Sequence, residues 1–370
     1  MAFWSLWFSK ASSSNIIAGS FWFKLSGSSK IGFGGKLICL LFWGNGKFGL
    51  IDASNNYEFI KNEVESVNID PFHGEINQWT NISENSVQAV LDYLELLNIT
   101  KLDFIIATHS HNDHIGGIPA ISYKYVDNTT TYYYRDYRPN LEDVIRVFWA
   151  NSKYYLAALH SMQKKNAKLV EVTNKKIKFK FGDMDIEIFN TEMASNDLLV
   201  RENKNSIVTL IKFKNTKLFL AADMKKIDDR KIKDYLGKIN ILKLAHHGYS
   251  ETSREFMETV RPDHVVIMSE KLFSHAKKLI KFMKNRYNSK IYMTLFIKYS
   301  AIKLHFDLNG NRQNEFYFEN SDQIEFILNE NLNIVDYTIL FLFLTFVIIF
   351  LLRKKQIIFT ISPKYSNYIF

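Results

Sequence analysis

The sequence predicts an α/β protein in which two β-sheets pack face to face and helices cover their outer faces. Three observations lead there. Short apolar runs separated by turn residues read as strand pairs, helical stretches follow those pairs, and the whole pattern occurs twice along 370 residues. A hydrophobic fraction of 47% supplies a core for one large domain.

Residues 1–30 are rich in Ser, Gly, Phe and Trp and carry no acidic residue. Lys10 follows the apolar residues Phe3 to Phe8, and Gly and Ser interrupt the next apolar patch, so the order is not that of a secretory signal. They are expected to form a poorly defined extension. From Ile31 the pattern becomes regular, and one large domain is expected over 31–320. "LICLLFWGNGKFGLID" reads as two strands joined by a hairpin turn at Asn45 and Gly46, residues that tolerate positive φ. "SVQAVLDYLELL" places Val87, Val90, Leu91 and Leu94 at helical spacing behind a capping Ser86.

"LDFIIA" is a buried strand leading into "THSHNDHIGG". Residues 141–165 form a second helical stretch. Two hairpins follow, one turning at Gly182 and Asp183, the other near Asn215. "INILKLA" runs into His246 and His247, and helix and strand then alternate to "AIKLHFD".

The C-terminus differs in kind. "YTILFLFLTFVIIFLL", residues 337–352, carries no charge, and Arg353, Lys354 and Lys355 follow it. A single transmembrane helix is expected over 334–352, with a basic tail over 353–370. The basic triplet favours a cytoplasmic tail and an extracytoplasmic body, the missing secretory signal argues the other way, and both topologies stay open.

Composition narrows the chemistry. Cys39 is the only cysteine, so no internal disulfide and no cysteine-based metal site can form, and any metal must be held by His, Asp or Glu. The net charge of +9 suits an anionic partner, although the lysines are spread along the chain. No protein partner is implied.

"THSHNDHIGG" puts His109, His111, Asp113 and His114 within six positions. Leaving a strand in extended form, His109 and His111 project to one side and can share an ion. Asp113 and His114 follow where the chain turns and can reach a neighbouring ion, while Gly116 and Gly117 let the backbone bend. Asp223 ends the apolar strand "KLFLAAD", where a carboxylate needs a cation or a hydrogen-bond partner. His246 and His247 end another strand ahead of Gly248.

These residues match the His-x-His-x-Asp-His signature of the metallo-β-lactamase superfamily, and "LIDAS" around Asp52, Asp223 and "HHG" resemble its other motifs. The resemblance covers roughly residues 31–308 and implies a four-layer αββα sandwich with two divalent metals at one edge. Within the superfamily, "ENKNSIVTL" and "LKLAHHGYSETS" resemble the hydrolase domain of competence DNA-uptake proteins. "FKFGDMDIEIFN" and "LGKINILKLAHH" resemble teichoic acid phosphorylcholine esterase modules. Two departures stand out: Gly32, Phe33, Gly34 and Gly35 replace the usual Gly-Gln-Gly-Asp, and Asn203 to Ser206 stand where many members place a further histidine.

The resemblance implies His109, His111, Asp113, His114, Asp223 and His247 as metal ligands. Zinc is the default for such donors, with manganese or iron as alternatives. Asp113 and His246 are the expected catalytic residues, with the exchange of roles between His246 and His247 as the alternative. Asp52, Asn205 and His275 are expected to support them. Two cations bridged by Asp223 would lower the pKa of a shared water towards neutrality. The expected activity is therefore a membrane-anchored, metal-dependent phosphodiesterase acting on a phosphocholine-type or other cell-surface phosphodiester. A nuclease acting on DNA is the nearest rival, and a non-catalytic membrane-bound binding module with a degenerate metal site is a third reading. The run Tyr132 to Tyr134 is expected to be a half-buried strand, with a cation-framing role as its alternative. His73, His160, His264 and His305 are expected to be structural or solvated.

Overall fold

The computed structural model describes residues 15–19, 39–44, 46–54, 97–137, 151–173, 175–189, 202–249, 252–269, 274–293, 301–306 and 312–313, with residues 87, 90, 91, 94, 95 and 143. The chain divides into two compact units, Met1–Asn320 and Ser321–Phe370, and all described residues belong to the first. The transmembrane expectation for 334–352, the tail 353–370 and the Gly32–Gly35 turn lie outside the described residues. Among the described residues, no helix is long and apolar enough to cross a membrane.

The first sheet is built from β1 (Asn15–Gly19), β2 (Cys39–Gly44), β3 (Lys47–Ile51), β4 (Phe104–Ile106), β5 (Thr131–Tyr134), β6 (Lys168–Glu171), β14 (Ala301–Phe306) and β15 (Arg312–Gln313). Its order is β15-β14-β1-β2-β3-β4-β5-β6. The second contains β7 (Ile177–Phe181), β8 (Met184–Phe189), β9 (Val208–Phe213), β10 (Thr216–Leu220), β11 (Ile241–Lys243), β12 (His264–Ile267) and β13 (Lys290–Met293), in the order β13-β12-β11-β10-β9-β8-β7. The helices are α1 (Asn112–Ile115), α2 (Ile118–Tyr125), α3 (Asn151–Lys164), α4 (Lys226–Leu236), α5 (Arg254–Val260) and α6 (Ser274–Tyr287).

The period of two along each strand decides what the sheets bury. Ile51, Ile106 and Tyr133 lie in register across β3, β4 and β5 and enter the core shared with Ile186, Ile211, Leu218 and Leu220 of the second sheet. Their strand neighbours Leu50, Ile105 and Tyr132 face the other way, into a cluster with Ile115, Ile118 and Ile121 of the helical layer. Each such fully buried side chain contributes roughly 1.5–3 kcal/mol. On the far side, Phe219 turns away from Leu218 and Leu220, and its ring lies 6.2 Å from that of Phe256 on α5. The result is helix, sheet, sheet, helix.

Phe104 sits edge-on to Phe179 and Phe181 across the sandwich, with ring centroids 5.4 and 4.9 Å away. Its ring also covers its register partner Gly49, where any Cβ would overlap it. The tyrosine run forms β5: Tyr132 and Tyr133 are buried, and Tyr132 stacks on Tyr134. His264 is buried as well, its Nδ1 2.9 Å from the Tyr292 hydroxyl.

One boundary differs from expectation. Asn15–Gly19 does not lie wholly outside the domain, because β1 pairs antiparallel with both β2 and β14. A short strand held by ladder hydrogen bonds on both edges needs little side-chain patterning to be placed, so the interrupted composition of residues 1–30 concealed it.

Candidate metal centre

Strands β3, β4 and β5 run parallel, as do β10, β11 and β12, so the segments following β3, β4, β10 and β11 leave from the carboxyl ends of their strands. That is where loops of α/β sheets gather ligands.

The loop after β4 is fixed by Asp52, which follows β3 and is buried. Its Oδ1 accepts from the Thr108 amide at 2.9 Å and its Oδ2 from the Thr108 hydroxyl at 2.9 Å. The same Oδ2 lies 2.7 Å from His114 Nδ1. That contact sets the Nδ1 proton towards Asp52 and turns His114 Nε2 the other way. α1 begins immediately after His111, with the His114 amide 3.0 Å from the His111 carbonyl. Gly117 is required by closeness: a Cβ there would overlap the Ala53 carbonyl oxygen and stand 2.5 Å from Val87 Cγ2. Its φ of −82° is ordinary, so the expected conformational reason gives way to a steric one.

Asp223 is the hub. Its Oδ2 lies 3.5 Å from His114 Nε2, 3.6 Å from His247 Nε2, 3.7 Å from His246 Nε2 and 3.9 Å from His109 Nε2. His247 Nε2 is also 3.5 Å from Asp113 Oδ2, and its Nδ1 is 2.9 Å from the Met268 carbonyl. His246 and His247 both adopt positive φ, 46° and 53°. This turn, sharper than two non-glycine residues ordinarily make, sends the neighbouring rings towards the same carboxylate.

Two sets of ligand atoms lie within 4.8 Å of one another: His109, His114 and Asp223, and Asp113, His114 and His247. The grouping differs from that expected. His114 stands in both sets, whereas His111 is in neither and places its Nδ1 3.0 Å from His109 Nε2. The reason is local: the chain enters α1 straight after His111, and one helical turn carries His114 back over His109, with ring centroids 4.0 Å apart.

Of the supporting residues, Asn205 donates from Nδ2 to Glu202 Oε2 at 2.9 Å, while Asn203 Nδ2 lies 3.3 Å from His246 Nε2. His275 lies outside both sets. Its Nε2 is 2.9 Å from the Thr252 carbonyl, joining the start of α6 to the loop after His247. Glu202 is a residue that sequence reasoning missed. It is buried and its Oε1 accepts from the Ser110 amide at 2.9 Å, which pins the backbone between His109 and His111. The available signal was a carboxylate at the head of the polar run that precedes the apolar strand β9.

Electrostatics suit cation binding. Burial, reinforced by His114 and His111, pushes His109 well below the ordinary imidazole range, so it is neutral and ligand-ready. Burial opposes a charge on Asp223, yet His114, His247 and His246 hold its carboxyl well below the usual range. Burial likewise opposes a proton on His114, but Asp223 and Asp52 raise it to about 10. A metal ion taking His114 Nε2 would replace that proton. His114 Nε2, His247 Nε2 and Asp223 Oδ1 are buried without a hydrogen-bond partner, which is the signature of donors shaped for an ion. The residues therefore fit divalent metal.

The family model described as the beta-lactamase superfamily domain matches residues 67–280, over half of the chain. The chain belongs to the metallo-β-lactamase superfamily. Solved structures similar to this superfamily member include a mutant of the CmlA beta-hydroxylase, at 13% identity and a TM-score of 0.43, covering 81% of this chain and 55% of that one. The chain thus spans little more than half the length of that hydroxylase. A diphosphatase of the PhnP family is 13% identical with a TM-score of 0.40, covering 80% of this chain and 98% of that one. A quorum-quenching N-acyl homoserine lactone lactonase is 14% identical with a TM-score of 0.32, covering 77% and 92%. A comparison with curated proteins finds no match.

Proposed function

We propose that this chain is a metal-dependent phosphodiesterase whose metals are held by His109, His111, Asp113, His114, Asp223 and His247. The observation that carries the reading is the single Asp223 oxygen within 3.5–3.9 Å of four imidazole nitrogens from distant parts of the chain. Nitrogen and oxygen donors of this kind suit zinc first, then manganese or iron. When bound, such ions acidify a water for attack on phosphorus and offset the charge that builds on the nonbridging oxygens.

The protein's own residues do the rest. Asp113, with its side chain 21% exposed, is the carboxylate of the set with access to solvent and takes a proton from the attacking water. His246, at 22%, is more open than His247 at 1%, and stands beside Asn203. It contacts the phosphate or returns a proton to the leaving oxygen. The substrate is a phosphocholine-type or other cell-surface phosphodiester, with the body anchored outside the membrane. The β5 tyrosines do not frame its cation, because Tyr132 and Tyr133 are in the cores. A nuclease is the second reading, and a basic groove between α5 and α6 favours it.

The test uses the full-length protein loaded with zinc or manganese. It should bind stoichiometric metal and hydrolyse bis-p-nitrophenyl phosphate and p-nitrophenylphosphorylcholine, and His247→Ala should remove both properties. A protein that takes up no divalent metal, or a His247→Ala variant with the wild-type rate, would refute the proposal.

A further inference from the structure

Between α5 and α6, on the outer face of the second sheet, lies an open groove of about 730 Å³. Arg254, Glu258 and Arg261 fall at i, i+4 and i+7 of the α5 segment, and Lys278, Lys281 and Asn285 fall at i, i+3 and i+7 of α6, so each helix turns one face to the groove. Arg286 closes the far end. Five cations thus share a space with one carboxylate.

That carboxylate is already engaged, since Glu258 Oε1 lies 3.0 Å from Arg254 Nε. The other acid of α5, Glu255, turns away to Lys233 at 2.6 Å. Arg261 Nε donates to the Glu258 backbone carbonyl at 2.9 Å. Lys278, Lys281 and Arg286 are exposed and have no ion-pair partner among the described residues. Surface ion pairs do occur elsewhere, as in Lys124–Glu95, Lys180–Asp185 and Lys238–Asp263. Lys278 and Lys281 are like charges one helical turn apart, an arrangement that repels unless an anion lies between.

The groove also has an aromatic side. Phe282 carries the Arg254 guanidinium 4.5 Å from its ring centroid and meets Tyr287 edge-on at 5.6 Å. Cations interleaved with rings are the pattern that holds single strands of nucleic acid by phosphate and base. Location supports this. Strands β11, β12 and β13 are parallel, so α5 and α6 both begin at the edge where His246 and His247 leave β11. The groove runs down the helices from Arg254, the first residue of α5, to Arg286 near the end of α6.

We propose that this groove binds the phosphate backbone of single-stranded nucleic acid, at a site separate from the metal ligands. Only the fate of the bound strand rests on the phosphodiesterase reading. The test is fluorescence anisotropy of a fluorescein-labelled oligothymidylate with the full-length protein across a salt series. Wild type should bind, with log affinity falling linearly against log salt. The triple variant Lys278→Ala, Lys281→Ala, Arg286→Ala should bind at least tenfold more weakly. Its salt slope should be shallower by about 2, at roughly 0.7 per phosphate contact on a single strand. The same variant should hydrolyse bis-p-nitrophenyl phosphate at the wild-type rate, and His247→Ala should still bind the oligonucleotide. Equal affinity in the triple variant overturns the proposal, as does tighter binding of a glycerol phosphate polymer than of the oligonucleotide. Oligonucleotide binding without hydrolysis of any diester would leave the groove standing and sink the enzymatic reading. Diester hydrolysis without oligonucleotide binding would do the reverse.

Discussion

Asp52→Asn separates the holding of His114 from the holding of the fold. In the native protein the carboxylate accepts from the Thr108 amide and hydroxyl at 2.9 Å each and faces His114 Nδ1 at 2.7 Å. Asparagine keeps the shape and tolerates the φ of 59° at this position. Its oxygen still serves the Thr108 amide, but its NH₂ now points at His114 Nδ1. A donor there draws the lone pair of Nδ1, so the ring proton moves to Nε2, the atom that faces Asp223 at 3.5 Å. A protonated Nε2 cannot ligate. Loss of such a supporting carboxylate typically lowers metal affinity 10- to 100-fold, or about 1.4–2.7 kcal/mol. Loss of one charge-assisted hydrogen bond lowers stability by about 1.5–3 kcal/mol. Calorimetric zinc titration of metal-stripped protein reads the first quantity, and urea unfolding reads the second. Asp52→Ala is less informative, because it strands three buried donors at roughly 1–3 kcal/mol each and endangers the fold itself. An Asp52→Asn protein that is folded and binds zinc within twofold of wild type would refute the tautomer argument.

Gly117→Ala should destabilise by about 3 kcal/mol through overlap with the Ala53 carbonyl, whereas Gly46→Ala, with open space but a φ of 73°, should cost about 1–2 kcal/mol; thermal melts of both variants check the order. Glu202→Ala should lose about 1–3 kcal/mol by stranding the Ser110 amide and should also weaken zinc binding, read by melting and metal titration. Burial pushes the Asp229 carboxyl up to about 6 despite its hydrogen bonds from Ser253. The native state then holds that proton more tightly than the unfolded chain, so the contribution of Asp229 to stability is greatest below pH 3.8 and falls as pH rises through about 6, by about 3 kcal/mol in all. Asp229→Asn should flatten that part of the profile, and urea unfolding of both proteins at pH 4, 5, 6 and 7 measures it.

Much of this architecture was legible because its signals are local. Gly46 falls between β2 and β3, and the turn at Gly182 and Asp183 between β7 and β8, since few residue pairs make a two-residue hairpin. Helix α4 was not read. Beside the buried Ile232 and Leu236 it carries Asp228 and Asp229, buried on hydrogen bonds, so the apolar periodicity of its first turn is disguised. Edge strand β6 was missed for a related reason, because none of its four residues is fully buried. At the metal centre, residue identity was legible and grouping was not. The spacing of His109, His111 and His114 names donors, but the start of α1 decides which rings meet. Glu202 was hidden because a residue that holds backbone, not metal, has no motif of its own.

The pairing of β1 with both β2 and β14 has a consequence for any shortened form of the protein. Every residue proposed to bind metal lies between His109 and His247, so a fragment lacking residues 15–19 or 301–306 would retain the whole chemical apparatus. It would also bare a row of amides and carbonyls along one flank of the first sheet, a template on which another molecule can add a strand. Such a fragment is expected to fail by self-association before it fails as a metal binder.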